Sequence, residues 1–175
     1  MIRSYYAPTG GHPPQTDLLT GRAVFTEAYA VIPKGVMRDI VTSCLPFWER
    51  TRAWIIARPL SGFAETFSQY IMEIQPGGGS ERPELDPEAE GVIFVVEGEL
   101  TVELGGMTHR MEPGGYAFLP PDSRWTARNE SSAPVRFHWI RKAYESVDGV
   151  PVPEAFFVNE KDIAPTAMPD TEEKW

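Results

Sequence analysis

Five carboxylates crowd one short stretch of the sequence: Glu81, Glu84, Asp86, Glu88 and Glu90. Carboxylate oxygens are the ligands that Ca²⁺ and Mn²⁺ prefer, so such a run could bind a hard cation. Two prolines, Pro83 and Pro87, interrupt the run, and it follows the glycine-rich segment 76–80, which we expect to be flexible. A solvated acidic loop is therefore favoured over a metal site.

The other groups capable of chemistry are scattered along the chain. His12, His109 and His138 lie far apart in sequence, and a surface or packing role is favoured over metal ligation for each of them. Cys44 has no histidine close to it in sequence, so a small buried hydrophobe is favoured over a nucleophile. A single cysteine also gives no sign of an oxidising compartment.

Composition narrows the possible partners. The chain has 175 residues and a formal net charge of −9, which disfavours nucleic acid and anionic membranes as partners. No stretch approaches the roughly 18 apolar residues of a membrane span, and the N-terminus lacks the apolar core of a signal peptide. We expect a cytoplasmic protein.

Short strands separated by turns must position any site. Apolar or alternating runs, bounded by Gly or Pro, predict strands at 23–32, 36–42, 53–57, 66–74, 92–96, 100–104, 107–111, 116–119, 124–128 and 135–140. Turns recur about every 8 to 12 residues, which is typical of an all-β barrel or sandwich. We expect an extended arm over 1–22, a barrel over 23–145 and a linker-like tail over 146–175.

Two segments resemble the sequence boxes of the cupin superfamily, whose fold is a jelly-roll barrel, also called a double-stranded β-helix. Residues 91–98 resemble the end of the first box, and residues 115–129 resemble the second. The resemblance implies a barrel mouth at which His, His, Glu and His hold a divalent metal.

The ligand positions that the resemblance implies carry other residues here. The glutamate position falls on Gly91, with Glu90 one residue away and therefore on the opposite face of a strand. The histidine pair falls on Leu85 and Pro87 or on Glu84 and Asp86, and the second-box histidine falls on Thr126. We expect no metal, no cofactor and no catalytic residue in this barrel.

Weak candidates for a ligand site remain near the mouth. Arg124 and Arg128 flank Trp125 and could bind an anion, although a surface pair beside a packed tryptophan is favoured. Tyr116 could serve as the acid–base group of a metal-free epimerase or isomerase, but no histidine is placed to assist it.

A closer resemblance extends over roughly residues 15–165. The segments 17–23, 77–78, 114–121 and 141–144 resemble, in order and spacing, the N-terminal half of the (S)-ureidoglycine aminohydrolase family, two-barrel enzymes of purine (allantoin) breakdown. The resemblance implies that Mn²⁺ and the catalytic residues belong to a second, C-terminal barrel that would follow Trp175. It implies a homo-oligomer and a small-molecule substrate, ureidoglycine, hydrolysed to ureidoglycolate and ammonia.

The sequence therefore leaves two alternative functions open. In the first, the chain is the non-catalytic half of such an enzyme, and it supports the catalytic barrel and the oligomer. In the second, it is a stand-alone, metal-free binding module that holds a small anion through Arg124 or Arg128.

Overall fold

The computed structural model describes residues 24–25, 30–31, 42–57 and 66–167. Eleven strands lie within these ranges: β1 (Val24–Phe25), β2 (Ala30–Val31), β3 (Glu49–Ala57), β4 (Phe67–Ser80), β5 (Ala89–Glu97), β6 (Leu100–Leu104), β7 (Met107–Met111), β8 (Gly115–Leu119), β9 (Trp125–Arg128), β10 (Val135–Ala143) and β11 (Phe156–Asn159). A short 3-10 helix, Glu160–Asp162, follows β11. No helix in the described ranges is long and apolar enough to cross a membrane.

One curved sheet of nine strands forms a nearly closed barrel, and the predicted all-β fold is confirmed. Its strand order is β11-β8-β5-β10-β4-β9-β6-β7, and β3 pairs with β4 outside this path. The pairings are antiparallel, so strands that are neighbours in the sheet run in opposite directions along the barrel wall.

Alternating side chains fill the barrel interior. On β5, Ala89, Gly91, Ile93 and Val95 point inward and are buried, while the residues between them face outward. The inward residues of neighbouring strands complete the core; the largest fully buried apolar side chains are Phe137, Met72, Ile74, Ile93, Leu100 and Leu119. This period of two is the pattern by which the sequence predicts a strand with one face in a core.

Several predicted bounds differ from the observed ones. The predicted strand 23–32 is wrong, because β1 and β2 pair antiparallel as two short strands within it. The predicted strand 36–42 and the arm 1–22 lie outside the described residues, apart from residue 42. β11, which lies in the segment expected to be a tail, pairs with β8 and so joins the barrel sheet.

The glycine-rich segment 76–80 is also not the expected flexible loop, since it forms the end of β4. There Gly79 pairs with Arg128 of β9, and its φ of 143° is one that side-chain-bearing residues rarely adopt. A Cβ at Gly79 would lie 2.0 Å from the carbonyl oxygen of Ala127. β4 pairs with β10 over residues 67–74, and Gly79 then allows its end to pair with β9.

Candidate functional site

A cavity of about 530 Å³ opens at one end of the barrel. It lies where the loop 81–88 meets the start of β5, the end of β8 and the start of β9. Its lining residues are Glu81, Arg82, Glu84, Leu85, Asp86, Pro87, Ala89, Gly91, Leu119, Pro120, Asp122, Ser123, Arg124, Trp125 and Trp139. The residues at the implied ligand positions of the first box thus all line this cavity.

Gly91 faces the cavity, and a tryptophan occupies the space beside it. A Cβ built at Gly91 would lie 3.4 Å from Nε1 of Trp139, the inward residue of β10. Glu90 points outward, as the offset of one residue predicts, and its carboxylate lies 3.8 Å from Nζ of Lys142. The position expected to carry a glutamate ligand is therefore taken up by an indole.

The second-box position needs a correction. Thr126 lies on the outer face of β9, whereas its neighbour Trp125 points into the barrel and is 5 % exposed. A ligand in the barrel has to come from the inward face, which on β9 carries Trp125 and Ala127, so Thr126 does not stand at a position from which it could reach a metal in the barrel. β9 pairs with β6, with Ala127 opposite the buried Val102, and this pairing, which counting along the sequence does not show, fixes the residues of β9 that face the core.

Aromatic rings fill the barrel below the mouth. Trp125 and Trp139 meet edge to face, with ring centroids 6.0 Å apart, and Trp48 and Tyr70 lie within 5.7 and 5.5 Å of Trp139. Nε1 of Trp139 is buried and has no hydrogen-bond partner among the described residues. Indole rings offer no lone pair suited to a metal ion, so these inward side chains do not fit a cupin metal centre.

A bidentate ion pair lies at the rim of the cavity. Arg141 Nε and Nη2 donate to the two carboxylate oxygens of Glu84, at 2.5 and 2.7 Å. Glu84 also accepts from the backbone N–H groups of Leu85 and Asp86, and its side chain is only 12 % exposed. The guanidinium of Arg141 lies 5.8 Å from the centroid of the Trp139 ring. Glu84 is therefore fully occupied by protein donors and is not free to bind a cation.

The rest of the acidic run is divided among separate contacts. Glu81 pairs with Arg128, Asp86 accepts from the backbone N–H of Glu88, and Glu90 faces Lys142. Within the described ranges, no three His, Cys, Asp or Glu side chains come close enough together to hold a metal ion. Asp86 and Glu88 are exposed, as a solvated loop predicts, but Glu84 is not.

The structure separates the three predicted ligand-binding residues. Arg124 is exposed, lines the cavity and forms no ion pair with any described residue. Arg128 lies outside the cavity, bound to Glu81. Tyr116 faces outward from β8, and its ring stacks on Phe156 with 5.7 Å between centroids.

The scattered histidines and the cysteine also lie apart from the mouth. His109 stacks on Phe157 at 3.6 Å between centroids, and Nδ1 of His138 lies 3.3 Å from Nε2 of Gln69. Burial lowers the pKa of His138. Cys44 is exposed, so the prediction of a buried side chain is wrong. His12 lies outside the described residues.

Sequence reasoning missed Trp139 and Arg141, which shape the cavity. Both lie on the inward face of β10, two residues apart, after Val135 and Phe137 on the same face. The alternation of that strand could have placed them inside the barrel, but it could not have shown that Arg141 reaches Glu84, 57 residues earlier in the chain.

Comparison with known proteins agrees with this geometry. Residues 70–141 match the Cupin domain family. The chain is similar to the crystal structure of protein Ylba from E. coli, with 24 % identity, a TM-score of 0.73, and coverage of 86 % of this chain and 60 % of that one. It is also similar to the polyketide cyclase RemF from Streptomyces resistomycificus, with 21 % identity, a TM-score of 0.53, and coverage of 67 % and 79 %. These two likenesses show the fold.

Two relatives are more informative. A crystal structure from Pseudomonas aeruginosa, described as a glyoxylate-induced protein, is 65 % identical, has a TM-score of 0.78, and is matched over 98 % of this chain and 62 % of that one. The (S)-ureidoglycine aminohydrolase of Escherichia coli (strain K12) is 27 % identical over 135 residues, which are 76 % of this chain and 49 % of that enzyme. This chain therefore carries a cupin domain, and the resemblance to (S)-ureidoglycine aminohydrolase that its sequence predicts is confirmed over about half of that enzyme's length.

Proposed function

We propose that this chain is the N-terminal, non-catalytic cupin half of an enzyme like (S)-ureidoglycine aminohydrolase. The observation that carries the proposal is the content of the barrel: its mouth is lined on the inward side by Gly91, Trp125 and Trp139, none of which offers a metal ligand. The similarity to half of the Escherichia coli enzyme supports a division of labour between two barrels. The second barrel would then bind Mn²⁺ and replace the amino group of ureidoglycine by the oxygen of water, with release of ammonia.

The first test is catalytic. Purified 1–175 is incubated with ureidoglycine, with and without added Mn²⁺, and ammonia is measured beside the Escherichia coli relative as positive control. We expect ammonia above the spontaneous rate from the relative and none from this chain. Mn²⁺-dependent ammonia release by this chain would contradict the non-catalytic role.

The second test asks whether this barrel supports another. The 1–175 chain is co-expressed with the part of the Pseudomonas aeruginosa protein that it does not cover, which is about two fifths of that protein. We expect the two polypeptides to copurify and the pair to release ammonia from ureidoglycine. An active second part that neither binds 1–175 nor gains activity from it would count against a supporting role.

A second candidate function is the binding of a small anion by this barrel alone. The observation that favours it is the cavity itself, which combines an aromatic floor with an Arg124 at the rim that forms no ion pair within the described ranges. The N–H of Trp139, which has no hydrogen-bond partner in the part of the chain that the structure describes, lines the same cavity beside Gly91 and is covered by the surrounding side chains. A small carboxylate would pair with the guanidinium and rest against the indole rings.

Calorimetry against a panel of small carboxylates separates the two functions. If the cavity binds an anion, Arg124→Ala should weaken binding about tenfold or more, as expected for loss of a charge-assisted contact. Arg110→Ala, which removes an exposed guanidinium on β7, away from the cavity and its lining residues, is the matched control and should leave binding unchanged. Equal effects of both changes, or no heat with any carboxylate, would exclude this second function.

A further inference from the structure

The ion pair between Arg141 and Glu84 has the form of a filled carboxylate-binding site. Two guanidinium nitrogens donate to the two carboxylate oxygens, at 2.5 and 2.7 Å, which is the bidentate geometry by which arginine recognises carboxylates. The backbone N–H groups of Leu85 and Asp86 donate to the same carboxylate, at 2.9 and 2.8 Å. Four donors therefore surround one carboxylate, and the guanidinium would fit the carboxylate of a small molecule in the same way.

The Glu84 side chain separates this guanidinium from the cavity at the barrel mouth. Arg141 is an inward residue of β10, and its Cζ lies 5.8 Å from the centroid of the Trp139 ring. Trp139 and Glu84 line the cavity, whereas Arg141 does not. Asp86 lies 3.9 Å from Nη2 of Arg141, too far for a hydrogen bond, and its side chain is half-exposed. Removal of the Glu84 carboxylate would therefore open the cavity onto Arg141.

The loop 81–88 is attached to the barrel at its two ends, and Glu84 lies between them. Its start continues directly from β4. Two backbone hydrogen bonds hold its end: the N–H of Asp122 donates to the carbonyl oxygen of Pro87 at 2.7 Å, and that of Tyr144 to the carbonyl oxygen of Glu88 at 2.8 Å. Leu85, in the middle of the loop, is 51 % exposed and so adds little apolar packing. The carboxylate of Glu84 could therefore leave Arg141 while both ends of the loop stay in place.

We propose that Arg141 is the carboxylate-binding group of the barrel mouth, and that Glu84 fills this site as an internal ligand which a small carboxylate from solution displaces. The inference rests on the second candidate function, ligand binding in the mouth cavity, and it places the ligand's carboxylate on Arg141 beneath the loop rather than on Arg124 at the rim. The exchange replaces one carboxylate by another, so the guanidinium keeps a partner of opposite charge in both forms.

The covalent tether makes Glu84 a strong competitor for its own site. A group held on the same chain acts at an effective concentration of about a millimolar or more, so a free carboxylate should bind only weakly to the unaltered chain. The Glu84→Ala change removes this competitor. It deletes a CH₂ group and a carboxylate, which together have the size of acetate, so acetate is the probe that fits the space left beside Arg141.

Titration of ¹⁵N-labelled 1–175 with sodium acetate at constant ionic strength tests the proposal. The backbone amide signals of Leu85 and Asp86 should shift in the unaltered chain and approach saturation, because these amides lose the Glu84 carboxylate as acceptor when acetate displaces it. In Glu84→Ala the dissociation constant for acetate should be about tenfold lower or less. The double variant Glu84→Ala/Arg141→Ala, which leaves neither charge of the pair behind, should show no saturable shift. Acetamide, a neutral molecule of the same size, should give none with any of the three proteins.

Glu88→Ala is the matched control. Glu88 is an exposed acid of the same loop that does not line the cavity, so this variant should bind acetate as weakly as the unaltered chain does. The proposal is overturned if Glu84→Ala binds acetate no more tightly than the unaltered chain, or if the double variant binds it as tightly as Glu84→Ala. It is also overturned if acetate leaves the Leu85 and Asp86 signals of the unaltered chain where they are, an outcome that depends on the folding of no variant.

The same titration of Arg124→Ala separates this inference from the function on which it rests. Acetate binding that Arg124→Ala weakens and Glu84→Ala leaves unchanged would support a ligand site at the rim and overturn the site on Arg141. Binding that Glu84→Ala strengthens and Arg124→Ala leaves unchanged would support the site on Arg141 and exclude Arg124 as the anchor. Neither result bears on ammonia release, so the catalytic proposal stands or fails separately.

Discussion

Asn129 shows how one side chain can hold several segments of the barrel together. It is 1 % exposed, and its Nδ2 donates to the carbonyl oxygens of Ile74 and Ala133, both at 2.8 Å. Its Oδ1 accepts from the backbone N–H and the hydroxyl of Ser131. The side chain therefore ties the loop after β9 to the middle of β4.

Replacing this amide should destabilise the fold strongly. In Asn129→Ala, the buried carbonyl of Ile74 loses the amide donor and the loop after β9 loses its link to β4, so we expect the free energy of unfolding to fall by about 2–4 kcal/mol. Urea unfolding followed by tryptophan fluorescence measures this. Ser131→Ala, which removes one partly exposed hydroxyl, is the control and should cost about 1 kcal/mol or less. Equal losses of unfolding free energy in the two variants would show that the amide of Asn129 contributes no more to stability than the hydroxyl of Ser131.

At the scale of elements, the path of β4 depends on one glycine. A methyl group at Gly79 would lie 2.0 Å from a backbone oxygen of β9, and backbone cannot move aside cheaply. We expect Gly79→Ala to lower the free energy of unfolding by more than about 3 kcal/mol. Gly106→Ala is the control, because Gly106 has a φ of 80° but open space around it, and it should cost only about 1 kcal/mol. Similar losses of stability in the two variants would mean that the positive φ of each glycine, and not the crowding around Gly79, determines the effect.

Sequence reasoning succeeded where strands are bounded by their own turns. β6 and β7, joined at Gly105-Gly106, have the predicted bounds, and β8 begins one residue before its prediction. It failed where a distant strand decides the structure. β11 is four residues long and exists because β8 offers it an edge, and the residues of β9 that face inward are fixed by its pairing with β6. Local pattern carries no information about either partner.

The same limit applied to the candidate site. The positions where the first box would carry ligands, Gly91 and those in the loop 81–88, could be located from the sequence, because their spacing from the box is fixed. The groups that fill the space, Trp139 and Arg141, come from β10, nearly 50 residues further along the chain. Their role depends on the antiparallel pairing of β10 with β5, which spacing in sequence does not reveal.

At the scale of the whole molecule, acid should weaken the fold in two steps. The first involves His138, whose pKa is lowered from 6.5 by burial. The unfolded chain therefore binds a proton at this site more readily than the folded chain. The stability that the neutral imidazole contributes is present above pH 6.5 and is lost as pH falls through the lower, folded-state pKa. The second step involves Glu73 and begins only below about pH 4.5.

Glu73 is 1 % exposed on the outer face of β4. Burial alone would raise its pKa, but hydrogen bonds and charge from Arg136 and Arg52, at 2.6 Å each, outweigh that effect and lower the pKa below 4.5. Its contribution to stability is therefore complete above pH 4.5 and is lost as pH falls through the folded-state pKa.

A histidine variant distinguishes the first loss of stability from the second. The free energy of unfolding is measured from pH 8 to pH 3 for the unaltered chain and for His138→Gln, an uncharged polar replacement. We expect the variant to lose less stability than the unaltered chain between pH 7 and pH 5 and to show the same decline below pH 4.5, because Glu73 and its two arginines are untouched. His109→Gln controls for the loss of a histidine elsewhere in the barrel. If His138→Gln and the unaltered chain decline in parallel over the whole range, then burial of His138 does not govern the first step.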